Sequence, residues 1–335
     1  MDVIELLPRL HFIRLPVGHA YLWQDPDGLT LIDAGLPGSA PALAAAVRHT
    51  GHRPADVRRL VLTHFHPDHI GAAADVAAWG DVQVLAHHAD APFIRAAGAG
   101  PAPDLADWER PIHERVMRPL AAQPPGPPLV APRIDRELTD GDEPGFGDGA
   151  VTVAVPGHTP GSIACYLPRH GVLFTGDAAA RREDGTVIGG LFNVNRPQTA
   201  ESLRRLATLD VTIACFGHGE PLTSNATAAL QAAAERLPPT ELPLAPHHRL
   251  RRCISDPPCT RGVGGAEVAA SATGDHRETE LGWRGRAIAP GHSTTAVPGA
   301  NCRALEAPET FIAYQHAPHL PQTGHHSCRR TPRPP

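Results

Sequence analysis

Directly after the apolar run Leu60-Val61-Leu62 the chain reads Thr63-His64-Phe65-His66-Pro67-Asp68-His69. Nothing else in the sequence constrains its folding as strongly. Imidazole and carboxylate groups cost free energy when buried unless they are paired or bound to a metal. Three imidazoles and a carboxylate converging at the end of a strand therefore point to a metal site rather than to packing. Further candidate ligands stand at later strand ends: His158 in Pro156-Gly157-His158, Asp177 after Gly176, and His218 between Gly217 and Gly219. Neighbouring glycine and proline let backbone approach closely and hold such side chains at a rim. Five imidazoles and two carboxylates suit borderline cations such as Zn, Mn or Fe better than Ca or Mg.

The pattern along residues 1–237 alternates strand and helix. Strands are expected at 11–15, 20–23, 29–33, 58–63, 82–86, 134–138, 151–155, 163–167, 172–175 and 211–216. Helices are expected at 40–50, 69–79, 199–209 and 223–236. Residues 97–133 interrupt this alternation with a Pro-, Ala- and Gly-rich stretch that includes Trp108, His113 and Met117. A helix near 106–120 fits there, and the insertion is either a lid or substrate wall or an ordinary surface connection. After Pro238-Pro239 the periodicity stops. Residues 238–335 are rich in Arg, Pro, His, Gly and Thr, a composition that cannot bury enough apolar surface to order itself. This tail is expected to be disordered. The abrupt break suits an extension read from a shifted frame; its eight histidines would also suit a metal-storing or partner-binding tail.

The chain has 335 residues and a formal net charge of −5. It shows no long basic run, which argues against nucleic acid as a partner. No apolar stretch approaches the ~18 residues of a membrane span, and the N-terminus lacks the pattern of a secretory signal. A soluble, cytoplasmic protein is expected. Cys165 and Cys215 lie in apolar strand-like segments, where a thiol acts as a small hydrophobe. The other four cysteines are irregularly spaced and form no CxxC pair, so a zinc knuckle is not expected.

Five motifs in order carry a resemblance: Leu31-Ile32-Asp33-Ala34-Gly35, Thr63 through Gly71, Pro156-Gly157-His158-Thr159-Pro160-Gly161-Ser162, Phe174-Thr175-Gly176-Asp177 and Gly217-His218-Gly219. Together they resemble the metallo-β-lactamase-fold hydrolases, in the branch of the lactonases and glyoxalase II-like enzymes, over about residues 8–237. The resemblance implies an α/β fold, a four-layered αββα sandwich with metals at one edge between two sheets. It implies two divalent metal ions, Zn2+ before Mn or Fe. His64, His66 and His158 would hold the first, Asp68, His69 and His218 the second, and Asp177 would bridge them. Asp33 would support the ligand loop from behind. The implied chemistry is attack by a metal-bridging hydroxide on a small ester, lactone or thioester, with Asp68 and Asp177 as the catalytic carboxylates and a small molecule as the partner.

Departures from family patterns narrow this. A cysteine or serine usually stands at the position of Asp177 in the zinc β-lactamases, which disfavours antibiotic hydrolysis. Residues 238–335 do not resemble the helical domain of glyoxalase II enzymes. A mononuclear iron oxygenase resembling the persulfide dioxygenases, and a non-catalytic ligand-binding member, are the alternatives. Ser162 lies in no GxSxG elbow, so serine nucleophilic catalysis is not expected. Arg181, Arg182, Asn193 and Arg196 face either the pocket or solvent, and His87, His88, His113 and His170 are read as surface or cap residues.

Overall fold

The computed structural model describes residues 2–122 and 126–237. The expected tail, and with it the boundary placed at 237, lies outside the described residues. The chain opens with β1 (Asp2–Leu7), β2 (Leu10–Arg14), β3 (Ala20–Asp25) and β4 (Gly28–Ile32), an antiparallel meander. Helix α1 (Ala40–His49) then crosses to β5 (Val57–Leu62), which pairs parallel with β4. Two short helices, α2 (Pro67–Ile70) and α3 (Ala73–Ala77), lead to β6 (Gln83–His87). After α4 (Ala91–Arg95) and α5 (Arg110–Ala122), β7 (Arg136–Leu138) completes a seven-stranded sheet in the order β1-β2-β3-β4-β5-β6-β7.

The second sheet begins with β8 (Val151–Ala154), β9 (Ile163–Leu167) and β10 (Val172–Phe174). A small hairpin, β11 (Ala179–Arg181) and β12 (Val187–Gly189), precedes α6 (Arg196–Leu206). Strand β13 (Ile213–Cys215) returns parallel to β10, giving the order β13-β10-β9-β8, and α7 (Ala226–Glu235) follows.

Side-chain alternation along the strands sorts the core into three seams. Leu29, Leu31, Leu60, Leu62, Val84 and Ala86 face α1 and α3. Their neighbours Ile32, Val61 and Leu85 turn to the other face, where with Phe12, Tyr21 and Trp23 they meet Ile163, Cys165, Leu167 and Phe174 of the second sheet. The far face of that sheet presents Val153, Ala164, Leu173 and Ala214 to Leu203, Leu206 and Leu230 of α6 and α7. Each fully buried side chain of this size contributes about 1.5–3 kcal/mol. The layers run helix, sheet, sheet, helix, the αββα sandwich expected, and Cys165 and Cys215 are packed thiols in its core.

Several elements depart from the sequence pattern. Strand β1 and the β11/β12 hairpin are additional. The helix expected over 69–79 is broken at Gly71, where the loop after β4 crosses: a Cβ there would sit 2.2 Å from the Leu36 carbonyl carbon, and the Gly71 amide donates to the Gly35 carbonyl at 2.8 Å. Helix α6 begins at Arg196 rather than 199, because Asn195 caps it by accepting from the Gln198 amide and Pro197 sits in its first turn. No described helix is long and apolar enough to cross a membrane.

Candidate metal centre

All seven expected ligand residues converge where the two sheets meet at one edge, and each is buried. The loop from β5 into α2 carries His64, His66, Asp68 and His69; His158 sits between β8 and β9, Asp177 after β10 and His218 after β13. Their donor atoms fall into overlapping groups: His64, His66 and His158; Asp68, His69 and His218; and His64, His69 and Asp177. Within each group the atoms lie within 4.8 Å of one another. His66 presents Nδ1, 3.0 Å from Nε2 of His158. Oδ2 of Asp177 lies 3.2 Å from His218 Nε2, 3.4 Å from His158 Nε2 and 3.8 Å from His64 Nε2, while its Oδ1 lies 3.4 Å from His69 Nε2. Asp68 Oδ2 stands 3.2 Å from His218 Nε2 and 3.6 Å from His69 Nε2.

Hydrogen bonds behind the cluster fix which nitrogen His69, His64 and His158 present. Asp33 adopts the left-handed backbone region (φ 62°), which an aspartate tolerates better than most residues. Its Oδ1 accepts from the Thr63 amide and its Oδ2 from the Thr63 hydroxyl, each at 2.8 Å. The same Oδ2 accepts from His69 Nδ1 at 2.8 Å, turning His69 Nε2 inward. The Thr63 oxygen, having donated its proton to Asp33, accepts from His64 Nδ1 at 3.0 Å, so His64 also presents Nε2. Asn193 Nδ2 donates to the Gly190 carbonyl, which leaves Asn193 Oδ1 to face His158 Nδ1 at 3.3 Å. At Gly217 any side chain would collide with the site, since a Cβ would lie 2.1 Å from Asp177 Oδ1.

A second buried carboxylate, Asp90, ties the ligand loops together. Its Oδ2 accepts from the Phe65 amide (3.0 Å) and the Thr159 hydroxyl (2.6 Å), and its Oδ1 from the Gly161 amide (2.6 Å). Burial pushes its pKa up to about 6 in spite of these donors. Sequence reasoning missed Asp90, Thr63 and Glu109. Of these only Thr63 carried a signal, as the first residue of the cluster motif.

The donor set suits a cation. Nε2 of His64 and of His69 and Oδ1 of Asp177 are buried without a hydrogen-bond partner, a costly state that metal coordination relieves. The electrostatics agree. Burial disfavours a charged His218, yet Asp177 and Asp68 outweigh it and push its pKa up to about 9. Burial is likewise overcome at His69, raised well above the ordinary imidazole value by Asp177, Asp68 and Asp33. Burial and the charge of His69 drive His64 well down. Asp177, against the effect of burial, is held well below the usual carboxylate range by His218 and His69. The pocket gathers negative charge that protons fill and a divalent cation can replace, as metal uptake by such ligands requires.

The remaining candidates have structural partners. Arg181 donates to the Gly185 and Pro221 carbonyls, Arg182 lies 3.6 Å from Asp184, and Arg196 reaches Glu109 and the Asp104 carbonyl. His88 is exposed, whereas His87 is buried and caps the turn after β6, its Nδ1 accepting from the Ala89 amide. His170 bonds Asp148 and packs on Trp23. His113 packs edge-on against Phe192. The Ser162 hydroxyl accepts from the Thr159 amide within its turn.

Known proteins resemble this chain. The chain is 29% identical over 244 residues to the probable metallo-hydrolase YflN of Bacillus subtilis (strain 168), covering 69% of this chain and 88% of that one. It is 30% identical over 202 residues to the hydroxyacylglutathione hydrolase of Rhodobacter capsulatus, covering 60% and 61% of the two chains. A metallo-β-lactamase family protein of Thermus thermophilus matches in structure with a TM-score of 0.51 and 26% identity, over 69% of this chain and 78% of that one. The family model of the metallo-β-lactamase superfamily matches residues 14–218. With histidine and aspartate groups that could hold a metal ion, this chain belongs to the metallo-β-lactamase superfamily.

Proposed function

We propose that the protein is a dinuclear metal-dependent hydrolase of a small ester, lactone or thioester. His64, His66 and His158 would hold one divalent ion, Asp68, His69 and His218 the other, and Asp177 both. The position of Asp177 carries this reading: its carboxylate lies within 3.8 Å of imidazole nitrogens from both triads. Zn2+ is the expected metal, with Mn or Fe as substitutes, because imidazole-rich sites favour borderline ions. The hydroxyacylglutathione hydrolase among its relatives supports a thioester as one substrate class.

Bound ions of this kind supply Lewis acidity, lowering the pKa of water toward neutrality and withdrawing charge from a carbonyl oxygen. The chain's own groups do the rest. Asp33, Thr63 and Asn193 hold His69, His64 and His158 in single orientations. Asp68, buried between His69 and His218, would orient the attacking water and relay its proton. Thr159 and Ser162 are committed to their turn and to Asp90, so the attack uses water rather than a side-chain nucleophile.

Metal quantification combined with a panel of ester, lactone and thioester substrates tests this. Turnover in the panel that disappears with chelation and returns with Zn2+ is expected. One iron per chain with thiol-dependent oxygen uptake, or no turnover of any activated acyl compound, would overturn it.

A further inference from the structure

The 97–133 insertion is tied to the ligand set through an ion pair whose carboxylate is buried. Glu109 is 1% exposed and lies just before α5. Its Oε2 accepts from the Ala106 amide at 2.8 Å and from Arg196 Nη1 at 3.1 Å. Its Oε1 accepts from the Phe192 amide at 3.2 Å. Arg196 stands at the start of α6 and also donates to the Asp104 carbonyl, while the Asp104 amide donates to the Asn193 carbonyl at 2.9 Å. Two segments more than eighty residues apart are thereby closed into one unit.

Phe192 shows what that unit accomplishes. Its side chain is fully buried and its backbone is left-handed (φ 56°), a strained conformation for a bulky residue. Such strain persists only where the surroundings impose it, and here the Glu109 carboxylate on its amide and the His113 ring on its face do so. The next residue is Asn193, whose Oδ1 meets His158 Nδ1 and whose carbonyl is held by Asp104. The Val194 amide returns to the His158 carbonyl at 3.2 Å.

We propose that Glu109 and Arg196 form a latch that fixes the 104–113 segment and, through Phe192 and Asn193, sets the orientation of His158. Both are positioning residues, and the inference rests on the metal-centre reading above. The latch resists opening because separating the pair leaves the buried Glu109 carboxylate uncompensated, although the Arg196 side chain is 35% exposed.

The test compares Glu109→Gln, Arg196→Lys and Asn193→Ala with Arg205→Met. The last variant removes a different ion pair of α6, the one with Asp140. Metal affinity is read by chelator competition, and ligand geometry by the visible spectrum of the Co2+ form. Loss of an outer partner of a metal-bound histidine weakens affinity about 10–100-fold. Glu109→Gln and Asn193→Ala should both do so and shift the Co2+ bands in the same sense. Arg196→Lys, which keeps the charge, should fall between them and the wild type. Arg205→Met should lower the melting temperature alone. Lowered melting in Glu109→Gln with unchanged affinity and spectrum would overturn the latch. Failure of the substrate panel would sink the hydrolase reading without touching this result, whereas a wild-type chain that binds no divalent cation would overturn both.

Discussion

The two sides of the metal centre are braced in different ways. On the His64–His69 side, the brace is Asp33 at the end of β4 and Thr63 at the end of the neighbouring parallel strand β5. Both sit on the sheet itself, and the backbone bonds from the Asp33 amide to the Val61 carbonyl (2.9 Å) and from the Ala34 amide to the His69 carbonyl (2.7 Å) lock them in place. On the His158 side, the brace is Asn193, held in a loop by a strained Phe192 and by an ion pair to the insertion. One side draws its rigidity from strand pairing, the other from long-range contacts between segments without a sheet of their own. A scaffold of the first kind holds ligands with little dependence on the rest of the chain; the second kind depends on segments far away in sequence.

The comparison is most exposed to Asp33→Ala. That variant removes the acceptor of His69 directly and both acceptors of Thr63, which in turn holds His64; it should weaken the Asp68/His69/His218 group about 10–100-fold and the His64/His66/His158 group less. Chelator titration of the stoichiometric protein should show two unequal steps; two equal losses, or none, would mean that Asp33 is not the brace of His69.

Asp90 sits between the two braces, since it bonds both Phe65 and the 159–161 turn. Asp90→Asn should cost about 1–3 kcal/mol, because an amide cannot accept from every donor there. It should also change the pH profile. The folded-state pKa of Asp90 is raised from 3.8 to about 6, so its contribution to stability is complete below the lower value. That contribution is lost as pH rises through the upper value, with a slope of up to about 1.4 kcal/mol per pH unit. Subtracting urea melts of Asp90→Asn from those of the wild type across this window should expose the slope; a flat difference would refute the assignment.

Metal uptake itself should strengthen as pH rises, because burial is outweighed at His69 and His218 and both must shed protons to bind. Proton release measured on Zn2+ addition checks this. The smallest effect belongs to His88→Ala: the side chain is exposed on the turn after β6, and metal content and rate should both stay within error. A clear loss of either would place His88 in the site.

The same contrast explains what the sequence disclosed. His64, His66, Asp68 and His69 were legible because their spacing is local and their residue types are costly to bury. His158, Asp177, His218 and Asp33 were legible through glycine-flanked motifs in a fixed order. Strand β1 was not, since its residues 2–7 are mostly half-exposed and lack a clean alternation. The break at Gly71 depends on a loop thirty-five residues upstream, and the partners of Glu109 and Asp90 are set by contacts of up to eighty-seven residues in separation. A lone acidic residue in a polar stretch carries no mark of its burial. Arg196 shows the converse: its charge suggested a pocket or solvent, whereas Glu109 claims it.

The central claim is that Asp177 joins two ions into one centre. Metal analysis of the wild type beside Asp177→Ala tests it most directly. The account predicts two divalent ions per wild-type chain, falling toward one in the variant, with hydrolysis reduced by orders of magnitude. A single ion in the wild type, or unchanged stoichiometry and rate in Asp177→Ala, would contradict it.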